Sequence, residues 1–332
     1  MATVTWDGST DTDYGTAANW DTGSVPTSSD DVIIANVSND CVLDGTRSVN
    51  SFVVQAGGDF NGNTEMLTVV GENGAGFAVD IDGDIIGTTT NITITTAATT
   101  AIDFNATAGN VRHLTVNHAS CVINSENSCE LSGNLTITAG NFNANGNALT
   151  VTGDVSVTGT LTGANSAISM GSLTIASGGT YSATSGTTTI TSETSGTGRT
   201  LSNAGTFTHN KGLVKVDLAS PTTTQTQNGP FWDLEQVDAS TDFLAEAALT
   251  IYNNFTFVGD FDYTNNSHHM VVHGNMKIGD GSTTTRYCAQ SAYTNNLTVH
   301  GTLEITNGAT ADLGTHGTVN LGGIRNTGGS IS

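Results

Sequence analysis

The chain is short of positive charge. Its 332 residues hold 8 Lys and Arg against 30 Asp and Glu, for a formal net charge of −22. Such a charge repels phosphate, which argues against nucleic acid as a partner. It also gives little grip on an anionic membrane surface. Charged residues are only 11 % of the chain, so the acidity reflects scarce cations more than dense anions. No apolar run reaches the roughly 18 residues that a transmembrane helix needs. Helical periodicity is nearly absent, and there are only three Pro. The opening Met1-Ala2-Thr3-Val4-Thr5-Trp6 has neither a basic nor an apolar region of Sec-signal type, as expected of a virion component or a signal-less exported adhesin. The four cysteines, Cys41, Cys121, Cys129 and Cys288, form no CxxC pair and no Cys/His metal spacing.

What the chain has is glycine, 40 of them, together with Thr, Ser and Asn. Much of it follows one nine-residue pattern, apolar-x-apolar-x-Gly-x-apolar-x-apolar. The clearest copies are Leu297–Ile305, Met270–Ile278 and Leu149–Val157. Val79–Ile85 is a shorter copy, and Ile168–Ile175 lacks one residue at its Gly. Alternation at period 2 marks half-buried strand. The central Gly falls on the inward phase, where it bends the chain at a site with no room for a side chain. The unit therefore reads as two short strands joined at a corner, and a corner repeated along a chain predicts a solenoid. The pairs Leu114/Val116, Leu135/Ile137, Val155/Val157 and Leu173/Ile175 recur at 21, 20 and 18 residues, which sets a rung of about three strands.

Residues 111–157 also align with 232–278 at an offset of about 120, matching Leu114 to Leu234, Cys129 to Leu249 and Leu149 to Met270. Although Cys121 and Cys129 are close enough in sequence to pair, this alignment predicts that Cys129 is a core thiol. It also makes 241–249 strand and turn, because its counterpart 121–129 is a poor helix. The fold class is all-β: one single-stranded parallel β-helix (solenoid) over 36–332 with an N-terminal cap over 1–35.

That cap carries Trp6-Asp7-Gly8, Ala18-Asn19-Trp20, Val25-Pro26 and Asp30-Asp31-Val32-Ile33-Ile34. Trp6 and Trp20 are suited to cover the first open rung and its strand edge; a sugar-stacking platform is the alternative. The same series resembles the opening segment of large β-solenoid proteins among phage virion proteins (tail fibres and other appendages) and bacterial surface or adhesin-like proteins. The resemblance spans about a tenth of the chain. It implies a right-handed parallel β-helix with a structural or attachment role and carries over no catalytic residue.

Four constellations were weighed as chemistry. Asp80, Asp82 and Asp84 suggest a calcium loop, but Gly83 sits at the fourth place and no Glu closes it. The rung pattern points Val79, Ile81, Gly83 and Ile85 inward and the three Asp outward, leaving a surface cation as the alternative. Asp7, Asp11 and Asp13 read as turn formers or an ion-wrapping loop. His273 and His300 hold the same place in successive motif copies, near His268 and His269, so they predict an outward ladder that is either a solvated face, a metal site or a pH sensor. Trp232, Asp233, Glu235, Asp238 and Asp242 form the best carboxylate cluster for glycan cleavage, but Leu234 and Val237 interrupt it and aromatics are only 6 %.

These readings lead to no catalytic, cofactor or metal residue and to no cofactor. The expected protein is a non-enzymatic virion fibre, spike or capsid appendage. Its partners would be other virion proteins or further copies of itself, a trimer included, and a host-surface glycan or receptor. The alternatives are an adhesin or filament subunit at the cell surface and a glycan depolymerase.

Overall fold

The computed structural model describes residues 1–104, 111–194, 197–218, 225–226, 229–237, 242–244, 248–258, 260–263, 269–281, 285–289, 296–313 and 317–332. Among them the chain is almost wholly parallel β-strand, wound as a β-solenoid. The one helix is a single 3-10 turn, Ala17–Asn19. The described residues fall into two compact units, Met1–Ala167 and Ile168–Ser332.

Each coil has three sides, and each side is a column of short strands paired in parallel with the coils before and after. In the first unit one column runs Leu67, Ile92, Leu114, Leu135 and Val155 in direct register. A second runs Val4, Val32, Phe52, Val79 and Ile102. The third holds Cys41, Phe60 and Ile85, and later Cys129 with Leu149. All of these side chains are buried. Period 2 thus becomes one interior: the apolar residues of every strand stack on those of the next coil. Each large aliphatic so buried contributes roughly 1.5–3 kcal/mol.

Rung length is less uniform than the sequence spacing suggests. Leu135 pairs with Val155 at 20 residues, whereas Phe52 pairs with Val79 at 27. The extra residues lie in the turns, where insertion leaves the strand register intact.

The segment over 1–35 does more than cover an end. Its strands Ala2–Trp6 and Asp30–Ile34 pair in parallel and continue directly into Ser51–Val54. Trp6 and Trp20 are buried and meet edge to face, with ring centroids 5.1 Å apart. Tyr14, which the sequence pattern did not mark, is equally buried and packs on Trp20 at 4.7 Å. Both indole N–H groups donate to backbone carbonyls, Trp6 to Asn39 and Trp20 to Tyr14. Buried rings with their polar edges satisfied are structural, which removes the sugar-stacking reading.

The corner glycines are needed for a different reason than the period suggests. Gly153, Gly274 and Gly301 are not left-handed, nor do they look into the core. A Cβ on Gly301 would meet the carbonyl oxygen of Gly274 at 2.5 Å, and one on Gly153 that of Gly133 at 2.8 Å. Gly301 also donates its N–H to that same Gly274 carbonyl at 2.9 Å. The missing space lies along the stack, between the backbone of one coil and the next.

The motif copies are also out of phase with one another. In the second unit Met170 pairs with Ile190, and the column continues through Val216, Gln236, Phe257, Ile278 and Ile305. Met170 precedes the Gly of its copy, whereas Ile278 and Ile305 follow theirs. Aligning copies by sequence therefore equates burial but not the side of the coil. Cys129 is buried, as expected, and Cys121 and Cys41 are buried free thiols as well. Burial pushes the Cys129 thiol up to about 12, so it packs as a small apolar group. The side chain at 288 and those at 242–244 lie outside what the structure describes, as do residues 241 and 245–247; Asp242–Leu244 is strand, and Leu249 is buried at the start of the next, Leu249–Ile251.

Two outcomes follow for stability. Gly301→Val should destabilise the second unit by about 1–3 kcal/mol through overpacking, while Gly45→Ala, where a Cβ has nothing within 4 Å, should change stability little; chemical denaturation followed by circular dichroism measures both. Gln236 is 1 % exposed, and its Oε1 has no hydrogen-bond partner in a column otherwise filled by Val216 and Phe257. Gln236→Met should raise stability by about 1–2 kcal/mol, the cost of an unsatisfied buried polar atom; a lower unfolding midpoint would contradict this.

Candidate functional site

The most distinctive surface feature is a ladder of rings on one corner of the second unit. It starts from inward residues. Phe231, Ile251, Val272 and Val299 occupy one buried column in direct or linked register. Phe207 packs on Phe231 at 5.7 Å, and Tyr181 packs on Phe207 at 5.5 Å, so the column begins as an aromatic stack inside the coil. The residue that follows each of the later members turns the corner and points out. These residues are Trp232, Tyr252, His273 and His300, joined by His209 two places after Phe207.

The outward rings meet one another. His273 and His300 are stacked, with centroids 5.0 Å apart and planes 5° apart. Tyr252 and His273 are stacked at 5.6 Å and 8°. His209 leans on both Tyr252, at 5.2 Å, and Trp232, at 5.5 Å. The Lys211 ammonium lies 5.5 Å from the centre of the Trp232 ring, within cation–π reach. Tyr252 is 44 % exposed, and His273 and His300 are exposed. Parallel register is the cause for Tyr252, His273 and His300: one ring per coil at one position places rings about 4.8 Å apart, close to the contact distance of stacked aromatics, while His209 reaches Tyr252 from two coils away.

A second ladder holds that corner in shape. The Asp233 carboxylate accepts from the backbone N–H of Asn254 at 2.8 Å. The Asn254 side-chain oxygen accepts from the N–H of Asn275 at 3.1 Å, and Asn275 accepts likewise from Thr302 at 2.9 Å. The first unit has the same device, running from His113 Nδ1 to the N–H of Asn134, and from Asn134 to the N–H of Asp154. Each coil thus caps the next at the residue just before a strand resumes. The signal for it was present in the sequence, as Asn or Asp next to the corner, but composition hid it in a chain rich in Asn.

The ladder His273–His300 is where the motif alignment placed it. His209, Trp232 and Tyr252 joined it unannounced, because only the fold shows that they follow the same buried column. His268 lies outside the described residues, and His269 is exposed at the start of its strand.

The carboxylates take other roles. Asp233 holds Asn253 and Asn254, Glu235 faces outward opposite Lys215 on the neighbouring strand, and Asp238 and the Asp242 side chain lie outside the described residues. Asp7 and Asp11 are turn formers: Asp7 accepts from Ser9 N–H, and Asp11 accepts from Asp13 N–H, Asn19 and Thr16. Those hydrogen bonds, that from the Asp13 backbone first, hold the Asp11 carboxyl below its usual range.

Val79, Ile81 and Ile85 are buried while Asp82 and Asp84 are exposed, as the alternation requires. Asp80 faces Asp103 across the strand pair, and Asn127 donates its amide to the Asp103 carboxylate. Burial first, then Asp82 and Asp103, raise the Asp80 carboxyl above its usual range. Among the described residues no three metal-ligating side chains converge, and no helix is long and apolar enough to cross a membrane.

Comparison with known proteins adds no further assignment: no protein-family model, no curated protein and no solved structure matches the chain. The fold defines it as a parallel β-solenoid repeat protein.

A raised folded-state pKa means that Asp80 binds its proton more readily folded than unfolded. Its charge therefore works against folding at neutral pH, and this penalty fades as pH falls through the folded pKa towards 3.8. Asp80→Asn should raise the unfolding midpoint at pH 7, with the advantage shrinking as the pH is lowered to that value; an advantage independent of pH would refute the assignment.

Proposed function

We propose that the chain is a non-enzymatic structural protein of a phage virion, a fibre, spike or capsid appendage, whose solenoid presents its corner ladder to the host surface. The carrying observation is the outward run Trp232, His209, Tyr252, His273 and His300, half-buried at Trp232 and His209 and exposed at the other three, on a corner fixed by backbone capping. A contact surface gains affinity when its groups are ordered before binding, because less entropy is lost on association. Rings held in register by the strands beneath them meet that condition.

The ladder suits a neutral host glycan. Ring faces inside the stack are covered by their neighbours, so the ladder offers edges: imidazole nitrogens, the Tyr252 hydroxyl and the Trp232 N–H. These donate to and accept from sugar hydroxyls. The strands leading into the corner carry Thr250, Thr298 and Asn320 on their outer face, with Val271 between the two Thr. The resemblance of the cap to virion solenoids supports the location. The use of Asp233 as a backbone cap favours a binding role over glycan cleavage.

A cell-surface adhesin would use the same ladder, and location separates the two readings. Mass spectrometry of purified particles should find the protein in constant proportion to other virion proteins. Recovery only from bacterial membrane or secreted fractions would overturn the virion role. Recombinant protein should adsorb to host cells, and Tyr252→Ala with His273→Ala should lower adsorption at least several-fold with the unfolding midpoint unchanged. Unaltered adsorption would remove the ladder from the contact.

A further inference from the structure

We infer that His273 and His300 form a binding site for a late first-row divalent transition ion, with Cu2+, Ni2+ and Zn2+ as the class. The inference rests on the imidazole pair alone and stands whether or not the ladder contacts a host.

The geometry is that of two imidazoles presented side by side. His269–Val272 and Asn296–Ile305 pair in parallel, with Val272 opposite Val299. The next residue on each strand is a histidine, and both are exposed. Their rings are 5.0 Å apart and within 5° of parallel. An ion bonded to imidazole nitrogen at about 2.0–2.1 Å holds two such nitrogens roughly 2.8–3.0 Å apart in adjacent octahedral or square-planar positions, about 3.3 Å apart at the tetrahedral angle and about 4.1 Å apart in opposite positions. The ring centroids stand 5.0 Å apart, and an imidazole binds an ion in its own ring plane, so the two rings share an ion by turning out of the stack until their nitrogens converge on it. Exposed side chains make that motion by rotation about χ1 and χ2.

The backbone beneath does not have to move. Gly274 donates to the Asn253 carbonyl at 2.7 Å and Gly301 to the Gly274 carbonyl at 2.9 Å, directly after each histidine. The Asn254, Asn275 and Thr302 caps close the same corner. The spacing of the two ligands is thus set before the ion arrives. Tyr252 stacks on the other face of His273, a contact that His273 gives up as it turns towards the ion.

The donor set selects the ion. Neutral imidazole suits Cu2+, Ni2+ and Zn2+, whereas Ca2+ and Mg2+ require oxygen ligands. With two protein ligands, water fills the remaining positions. The formal charge of −22 raises the local concentration of any cation. His209 does not complete the site, since Tyr252 lies between it and His273 in the stack.

The test is titration of the full chain with Ni2+, read by calorimetry, with Ca2+ in parallel. One Ni2+ per chain is expected, with no heat from Ca2+. His273→Asn and His300→Asn should each weaken Ni2+ binding at least tenfold, while His209→Asn should leave it unchanged. Ni2+ should also raise the unfolding midpoint of the wild-type chain, by linkage, but not that of His273→Asn. Electron paramagnetic resonance of the wild-type chain with one equivalent of Cu2+ should show two imidazole nitrogens, a readout that needs no variant to fold. Absence of saturable Ni2+ binding, equal affinity in the His273 and His300 variants, or a Cu2+ spectrum with fewer than two nitrogens would overturn the site. None of these results depends on adsorption to cells, so failure here and failure of the attachment role are separately visible.

Discussion

The structure depends on one interaction, the parallel backbone pairing of each coil with the next. The described strands pair in parallel with strands one coil away, so successive coils sit at the roughly 4.8 Å spacing of paired strands. That spacing admits no side chain between the backbones at the corners, which is why Gly301 lies against the Gly274 carbonyl and donates to it. It also makes each position in a coil the direct neighbour of the same position in the next. A residue in this fold is judged by what stands above and below it.

From that rule come the ladders. Inside, they are apolar: Leu67, Ile92, Leu114, Leu135 and Val155 form a continuous column. Outside, one side of the first unit carries hydroxyls at Ser48, Thr68, Thr93, Thr115, Thr136 and Ser156. One side of the second unit sets Lys215 opposite Glu235, and Lys277, Glu304 and Arg325 in succession, so that like charges avoid direct opposition. At the corners the ladders are amides and rings. At Asp80, burial first and then the neighbouring Asp82 and Asp103 raise the carboxyl above its usual range, and Asn127 donates its amide to Asp103. The same stacking that hides the apolar residues leaves an ordered surface, and the ring ladder is the part of it best prepared to recognise something.

Much of this was legible in the residues. Period 2 located the buried positions, and the recurring pairs located real neighbours: Leu114 does pair with Leu135, and Leu135 with Val155. The pairing of His273 with His300 was visible because their motif copies follow one another closely and keep the same phase. Other features were hidden for definite reasons. Trp232, Tyr252 and His209 sit outside any clean copy of the motif, and only the column of Phe231, Ile251 and Val272 shows that they share a corner with the histidines. Tyr14 was unmarked because nothing in its local sequence shows that it packs on Trp20. Gln236 falls at an apolar position in its strand, and no rule of alternation anticipates a buried amide.

The sequence alone determined the class of fold and the direction of nearly every apolar side chain, because both follow from alternation along a single strand. It also determined the acidity and the absence of a long apolar helix. The tertiary structure decided which side of the coil each strand lies on, since the copy at Ile168–Ile175 enters the stack with its first half in the column where Met270–Ile278 and Leu297–Ile305 place their second. It decided what stands next to what across a whole turn, and with it the ring ladder and its amide caps. Those contacts join residues 20 or more apart, 43 for His209 and Tyr252, and turns of unequal length break the simple count from one coil to the next.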